Sequence, residues 1–209
     1  MPRSAVSAKI TKPGSEVRSG PGAGQTEDRA LLAGVASKDA QAFRALVDRH
    51  LGAVLALARR MLRDDAEAED VAQETLLRLW RTGGELEVGA HGVRPWLRRV
   101  ASNLCIDRVR SGRRTTVVDE VPEQSEPAQQ VAGLEQQDLA RRVDQALKAL
   151  PERQRLALTL FHYEGLSQVE VGSTMGISDE AVESLLARAR RSLRITLERD
   201  WRDLVAEQD

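Results

Sequence analysis

The chain predicts an all-α protein, with two small helical domains joined by an acidic flexible linker, and three observations lead there. Aromatic residues make up only 3% of the 209, while Ala, Leu, Arg and Glu dominate, a mixture that favours helix over strand. Apolar residues recur at three- and four-residue spacing, with no alternating stretch of useful length and no internal repeat. Between two such periodic regions, residues 115–137 hold the acids Asp119, Glu120, Glu123, Glu126 and Glu135, two prolines and no Lys or Arg. Such a segment reads as a linker. The expected layout is a tail over 1–25, a first domain over 26–114, the linker over 115–137 and a second domain over 138–209.

Taken in order, residues 1–25 are rich in Ser, Gly and Pro without periodicity, and are expected to be disordered. Order is expected from Thr26, as an N-cap before Glu27 and Asp28. From Asp39, the residues Phe43, Val47, Leu51, Val54, Ala58 and Met61 mark one buried helix face. The next helix opens with Asp64, Asp65, Glu67, Glu69 and Asp70, carboxylates suited to the positive end of a helix dipole. Its apolar stripe runs through Val71, Thr75, Leu76, Leu79 and Trp80, and Gly83 and Gly84 end it. A loop from Gly83 to Val93 follows. Pro95 suits a first helical residue, and that helix is expected to stop at Gly112. Beyond the linker, a helix from about Asp138 carries Leu139, Val143, Ala146, Leu147 and Leu150. Another starts at Pro151, with Leu156, Leu160 and Phe161, and ends at Gly165.

Between Arg94 and Arg114 there are seven arginines against one aspartate. Leu97, Val100, Ala101 and Leu104 suit a core face, and Arg99, Ser102, Asn103, Ile106, Asp107 and Arg110 form the opposite stripe. A core role explains the apolar residues but not the arginine density, whereas phosphate binding requires such a cluster. Asn103 can hydrogen-bond a base, and Trp96 can pack in the core or stack. A solvated charged face is the plainer alternative.

Ser167 and Glu170 have capping-box spacing, Gly176 breaks the short helix they begin, and Ser178 caps another behind Ile177 and Val182. Short helix, glycine turn and longer helix make a helix-turn-helix, whose second helix can enter a major groove. Its exposed positions are Asp179, Glu180, Ala181, Glu183, Ser184 and Arg188, and Arg190, Arg191 and Arg194 add a basic end for phosphates. An ordinary charged helical hairpin is the competing reading.

Other classes find little support. The net charge of -1 places any nucleic-acid surface in local asymmetry rather than overall charge. His50, His91 and His162 are scattered, and there is neither a glycine-rich phosphate loop nor metal-ligand spacing. No catalysis, metal, cofactor or small-molecule substrate is therefore expected. His162 and Glu164 read as surface residues, and the single cysteine, Cys105, as a small buried hydrophobe. No apolar run suits a membrane span or a secretory signal, so a cytoplasmic protein is expected.

Three strings in order, DDAEAEDVAQETLLRLW, RPWLRRVASNLCIDRVRSGRR and ALPERQRLALTLFHYEGLSQVEVGSTMGISDEAVESLLARARRSLR, resemble the extracytoplasmic-function (ECF) group of bacterial sigma factors over about residues 26–205. The resemblance implies a promoter-recognition subunit whose partners are core RNA polymerase, promoter DNA and an anti-sigma factor. It assigns Asp70, Gln73, Glu74, Arg78 and Arg81 to the polymerase clamp coiled coil. It assigns Trp96, Arg99, Ser102, Asn103, Asp107, Arg110, Arg113 and Arg114 to melting and reading the −10 element, with an extruded base held by the Gly83–Val93 loop. Ser178, Glu180, Ala181, Glu183, Ser184, Arg188, Arg190 and Arg191 fall to the −35 element, and the acidic linker to the polymerase channels. The family often carries basic residues where this chain has Glu183 and Leu185, so only the helix's role transfers, not its base preference. The rival is a conventional helix-turn-helix regulator that binds duplex DNA without polymerase.

Overall fold

The computed structural model describes residues 23–86, 92–115 and 134–206. Most of the predicted tail and linker, and the middle of the Gly83–Val93 loop, lie outside the described residues. Within them the chain is helical, with no strand. Helices α1 (Ala23–Ala36), α2 (Ala40–Leu62), α3 (Asp65–Thr82) and α4 (Arg94–Thr115) form the first domain. Helices α5 (Leu134–Ala149), α6 (Glu152–Leu158), α7 (Gln168–Met175) and α8 (Asp179–Ala206) form the second.

Local chemistry sets the helix ends. Asp39 accepts from the Gln41 amide at 2.8 Å and the Ala42 amide at 3.3 Å, which starts α2. Arg63 closes that helix in the left-handed region at φ 59°. Asp64 then accepts from the Glu67 amide at 2.8 Å to open α3. The two helices pack against each other, and α4 packs against both. Leu46, Leu57, Met61, Val71, Leu79 and Leu97 are buried at their centre.

Four expectations are corrected. The buried face of α2 runs through Ala42, Leu46, His50, Val54, Leu57, Ala58 and Met61, so its first half is one residue out of phase with the predicted stripe, and Leu51 is exposed. Buried His50 hid that phase, because a polar residue breaks an apolar pattern. Thr26 lies inside α1 rather than at its cap. Gly112 does not stop α4, which runs on to Thr115; a single glycine costs only about 1 kcal/mol in a helix, a penalty that context overrides. Helix α5 begins at Leu134, ahead of the predicted start.

In the second domain, Leu147, Leu150, Leu156, Leu160, Val171, Val182 and Leu186 form the buried set. Helix α6 runs into a π-helical turn, Thr159–Tyr163, that periodicity did not reveal. The wider turn ends at Gly165, where φ is +67°.

Candidate nucleic-acid interface

The surface of interest is built on α3, α4 and the α7–α8 hairpin. Acids at the start of α3 do more than favour its dipole. Arg108 of α4 donates to Glu67 and lies 3.6 Å from Asp70. The Glu67 bond, then Coulomb attraction to Glu67 and Asp70, raise the Arg108 pKa above its usual value. This clamp fixes the basic helix to the acidic one, a role the sequence reading missed because the partners are 41 positions apart. Asp70 is thus partly engaged within the domain, while Gln73 and Arg81 are exposed. Arg78 donates to Glu74 at 2.8 Å, one turn away. Leu77, 45% exposed, interrupts this charged stripe with an apolar patch that the sequence reading did not single out. Trp80, behind it, is half-buried against Phe43 at 5.0 Å between ring centroids.

Helix α4 has three faces. Leu97, Ala101 and Cys105 are fully buried against α2 and α3. Burial pushes the Cys105 thiol up to about 12, as expected of a structural cysteine. Arg99, Asn103 and Asp107 form an exposed i, i+4, i+8 stripe. Trp96 is half-buried and packs against the core. Ser102 departs from the expectation: it is 1% exposed, on a helix that packs against α6 and α7 as well as against α2 and α3. Arg110 is exposed but donates to Glu152 of α6 at 3.0 Å. The side chains of Arg113 and Arg114 are outside the described residues.

The predicted loop is described only at its two ends. Gly83–Glu85 form a 3-10 turn, and Gly83, Gly84 and Leu86 border a cleft of about 420 Å³ against Arg29, Leu32 and Ala36 of α1. At the other end Gly92, at φ +64°, lies so close to Asp28 that a Cβ would fall 2.8 Å from its carboxylate. Asp28 is 3% exposed and is satisfied by Arg49 at 2.8 Å and His50 Nε2 at 3.0 Å. Nothing in the spacing of these three residues announced that cluster.

The helix-turn-helix forms as its caps predict. Ser167 accepts from the Glu170 amide at 3.3 Å while Glu170 accepts from the Ser167 amide at 2.9 Å. Gly176 turns the chain at φ +65°, and Ser178 accepts from the Ala181 amide at 3.4 Å to start α8. Glu183, Arg188, Arg190, Arg191 and Arg194 are exposed along α8, whereas Ala181 and Ser184 are half-buried. The Glu180 carboxyl lies below the ordinary carboxylate range, held by its own backbone amide and then by the Ser178 hydroxyl. Glu180 therefore serves the helix start. Leu185 packs against the domain core, which accounts for an apolar residue at that position. Arg190 reaches back to the Leu186 carbonyl at 3.2 Å. Glu164, expected at the surface, has a side chain only 10% exposed because it pairs with Arg60 of α2 at 3.4 Å. Among the described residues no group of three or more side chains could hold a metal, and no helix is long and apolar enough to cross a membrane.

Comparisons with known proteins converge on one family. The chain matches the model for sigma-70 region 2 over residues 46–115 and that for sigma-70 region 4 over residues 140–193. It is 37% identical to the ECF RNA polymerase sigma factor SigL of Mycobacterium tuberculosis over 174 residues, 81% of this chain and 96% of that one. It is 34% identical to the ECF sigma factor SigK of Mycobacterium bovis, over 81% of this chain and 92% of that one. Among solved structures, it resembles CnrH bound to the cytosolic domain of CnrY, with 30% identity, a TM-score of 0.60, and coverage of 83% of this chain and 99% of that one. It also resembles RpoE of Bartonella quintana bound to the anti-sigma factor NepR, with 28% identity, a TM-score of 0.58, and coverage of 75% and 96%.

Proposed function

The chain belongs to the ECF group of RNA polymerase sigma factors, and from that premise we propose how its surfaces divide the work of starting transcription. The protein is an initiation factor that binds core RNA polymerase and directs it to promoters, with the chemistry left to the polymerase. The α3 stripe of Asp70, Gln73, Glu74, Arg78 and Arg81 meets the clamp coiled coil, and exposed Leu77 gives that contact an apolar centre. A charged rim around an apolar spot is the usual anatomy of a protein interface.

Helix α4 reads and melts the −10 element. Arg99 and Arg110 neutralise phosphates, and Asn103 offers a bidentate amide to a base edge. Melting requires a base to leave the stack, which costs a few kcal/mol and must be offset by a pocket and phosphate contacts. The cleft beside the 3-10 turn, at one end of the loop, is the proposed pocket. Helix α8 enters the major groove at the −35 element, with Glu183 and Arg188 facing bases and Arg190 and Arg191 facing phosphates. Ser178 and Glu180 hold the helix start, so their contribution to DNA is through positioning. An anti-sigma protein holds the factor inactive, as CnrY and NepR accompany the similar structures. The site of action is the cytoplasm, where the polymerase and promoters are.

The observation that carries this reading is the separation of faces on α4: one side is buried in the first domain, and another presents Arg99, Asn103 and Asp107 to solvent as a continuous stripe. Runoff transcription with core polymerase over a promoter library tests it. Specific transcripts are expected, and Arg99→Ala with Asn103→Ala should abolish melting while core binding stays near wild type. Normal open complexes from that double variant would remove α4 from promoter melting. Tight duplex binding without polymerase would instead favour a conventional regulator.

A further inference from the structure

Both ends of the segment that joins α3 to α4 rest on α1, and each rests there through glycine. At the first end, a Cβ on Gly83 would lie 2.8 Å from the Val35 side chain, and one on Gly84 would lie 3.2 Å from the Ala36 backbone. Lys38, just past α1, donates to the Trp80 carbonyl at 3.3 Å and ties down the last turn of α3. At the second end, Gly92 packs on Asp28 as closely. Val93 follows, fully buried, and its carbonyl accepts from the Leu97 amide at 3.0 Å in the first turn of α4. Asp28 and Ala36 stand about 12 Å apart along the axis of α1. The same helix lines the proposed cleft with Arg29, Leu32 and Ala36, so the cleft and the start of α4 share one support.

We infer that α1 is the gauge of −10 recognition: it fixes the cleft relative to the start of α4, and Asp28, Arg49 and His50 are the positioning residues that hold it in place. This role rests on the proposed use of the cleft and of α4 for the −10 strand. A strand with one base in the cleft and its neighbours against Asn103 is read correctly only when the two are correctly spaced. Such constellations need their parts held to within about 0.5 Å by locked, hydrogen-bonded neighbours.

Apolar contact alone would leave α1 free to slide or turn, because burial is non-directional. The Asp28 carboxylate supplies direction. It is 3% exposed, accepts from Arg49 Nη1 at 2.8 Å through one oxygen, and meets His50 Nε2 at 3.0 Å through the other. Arg49 also donates to Glu27, so two successive residues of α1 are tied to two successive residues of α2. The oxygen that His50 holds, Oδ2, is the atom that a Cβ on Gly92 would strike at 2.8 Å. The start of α4 therefore rests on the very atom that the cluster immobilises. Well-packed apolar residues would stabilise a helix pair about as well as a buried ion pair does, so what this cluster adds is location. A buried carboxylate stripped of one partner is strongly disfavoured, and that keeps α1 in a single register.

The test is transcription by holoenzyme, full chain plus core polymerase, on a promoter library randomised across the −10 and −35 elements, with the transcripts sequenced. In Asp28→Asn, Gly92→Ala and His50→Leu, preference for the favoured −10 bases should fall about fivefold or more, the worth of one well-placed base contact. Preference at −35 should stay at the parent's value. His50→Gln, whose amide nitrogen can stand where Nε2 stands, should keep the parent's −10 preference. A merely structural cluster would lower the folded fraction, and with it the yield from every promoter alike, leaving base ratios unchanged. Unchanged −10 ratios in Asp28→Asn and Gly92→Ala would therefore overturn the gauge, whatever their yield, and so would an equal loss of −35 preference. Gly92→Ala keeps the cluster's own side chains, and it decides the matter if Asp28→Asn folds poorly. Equal losses in His50→Gln and His50→Leu would overturn the role given to the bond with Asp28. Arg99→Ala with Asn103→Ala, in the same run, separates this from the reading beneath it. If that variant kept the parent's −10 preference, the role of α4 would fall and the gauge with it.

Discussion

Gly172 sits inside α7, where sequence propensity alone would favour almost any other residue. A Cβ built there would lie 2.8 Å from the Ile177 carbonyl oxygen and 3.1 Å from an Asp179 carboxylate oxygen. The first contact is with backbone, so no side-chain rotation can relieve it. The same turn is held by the Ile177 amide donating to the Gly172 carbonyl at 3.0 Å. Gly172→Ala should gain about 1 kcal/mol of helix propensity. Against that stands overpacking of about 1–3 kcal/mol, and a turn hydrogen bond worth about 1 kcal/mol is stretched as the helices part. The net expectation is a loss of about 1–3 kcal/mol, or a midpoint roughly 4 °C or more lower for a domain of this size. Gly112→Ala is the matched control. It is also helical, but nothing lies within 4 Å of its added Cβ, so propensity acts alone and the variant should gain about 0.5–1 kcal/mol. Urea unfolding followed by circular dichroism at the helix band measures both. A Gly172→Ala protein as stable as its parent would show that α7 and α8 do not approach this closely, and the helix-turn-helix geometry argued above would have to be redrawn.

Three further outcomes can be checked. Cys105, buried and with its thiol pushed up to about 12, should stay silent to a chromogenic disulfide reagent at pH 8 in the native protein and react only on unfolding; prompt native reaction would contradict its burial. Glu180 has a depressed folded pKa, so its stabilisation is present above the unfolded value and lost as pH falls through the folded one. Glu180→Gln should accordingly be less stable than the parent at neutral pH, and the gap should close in acid below the ordinary carboxylate range; a gap that widened in acid would reverse the assignment. Gln73→Ala with Leu77→Ala should weaken core polymerase association by at least about tenfold if they are central to the contact, measured by titration of labelled protein, with no change in thermal midpoint since both are exposed. Unchanged affinity would take the α3 stripe out of the interface.

What was legible in the sequence was whatever is encoded locally. Asp39, Asp64 and the Ser167–Glu170 box each act within three residues, so the starts of α2, α3 and α7 could be read from the chain. The helix-turn-helix followed from its caps and Gly176. The phase of α2 was misread because His50 is buried as the partner of Asp28, 22 positions away. The fate of Glu164 was illegible for the same reason: it pairs with Arg60 of the first domain, and no local pattern records what a distant domain will cover. The π-helical turn Thr159–Tyr163 also left no signal in the apolar spacing.

Helix α4 shows why the arginine cluster was the right feature to notice yet a poor guide to its own use. One arginine, Arg108, is spent inside the first domain on Glu67 and Asp70. Arg110 pairs with Glu152 of the second domain, and Arg98 is half-buried, its pKa lowered by burial and then by the neighbouring Arg94 charge. Among the described arginines of this helix, Arg94 and Arg99 remain exposed, Arg99 on the stripe with Asn103. A count of charges therefore overstates the cationic surface that α4 leaves free for DNA. In the complex with core polymerase, the salt dependence of promoter binding should lose about 0.7–0.9 of slope in Arg99→Ala and change little in Arg108→Ala, because only the first offers a phosphate contact. Equal losses in the two variants would mean that pairing inside the first domain does not take Arg108 out of the DNA-binding surface.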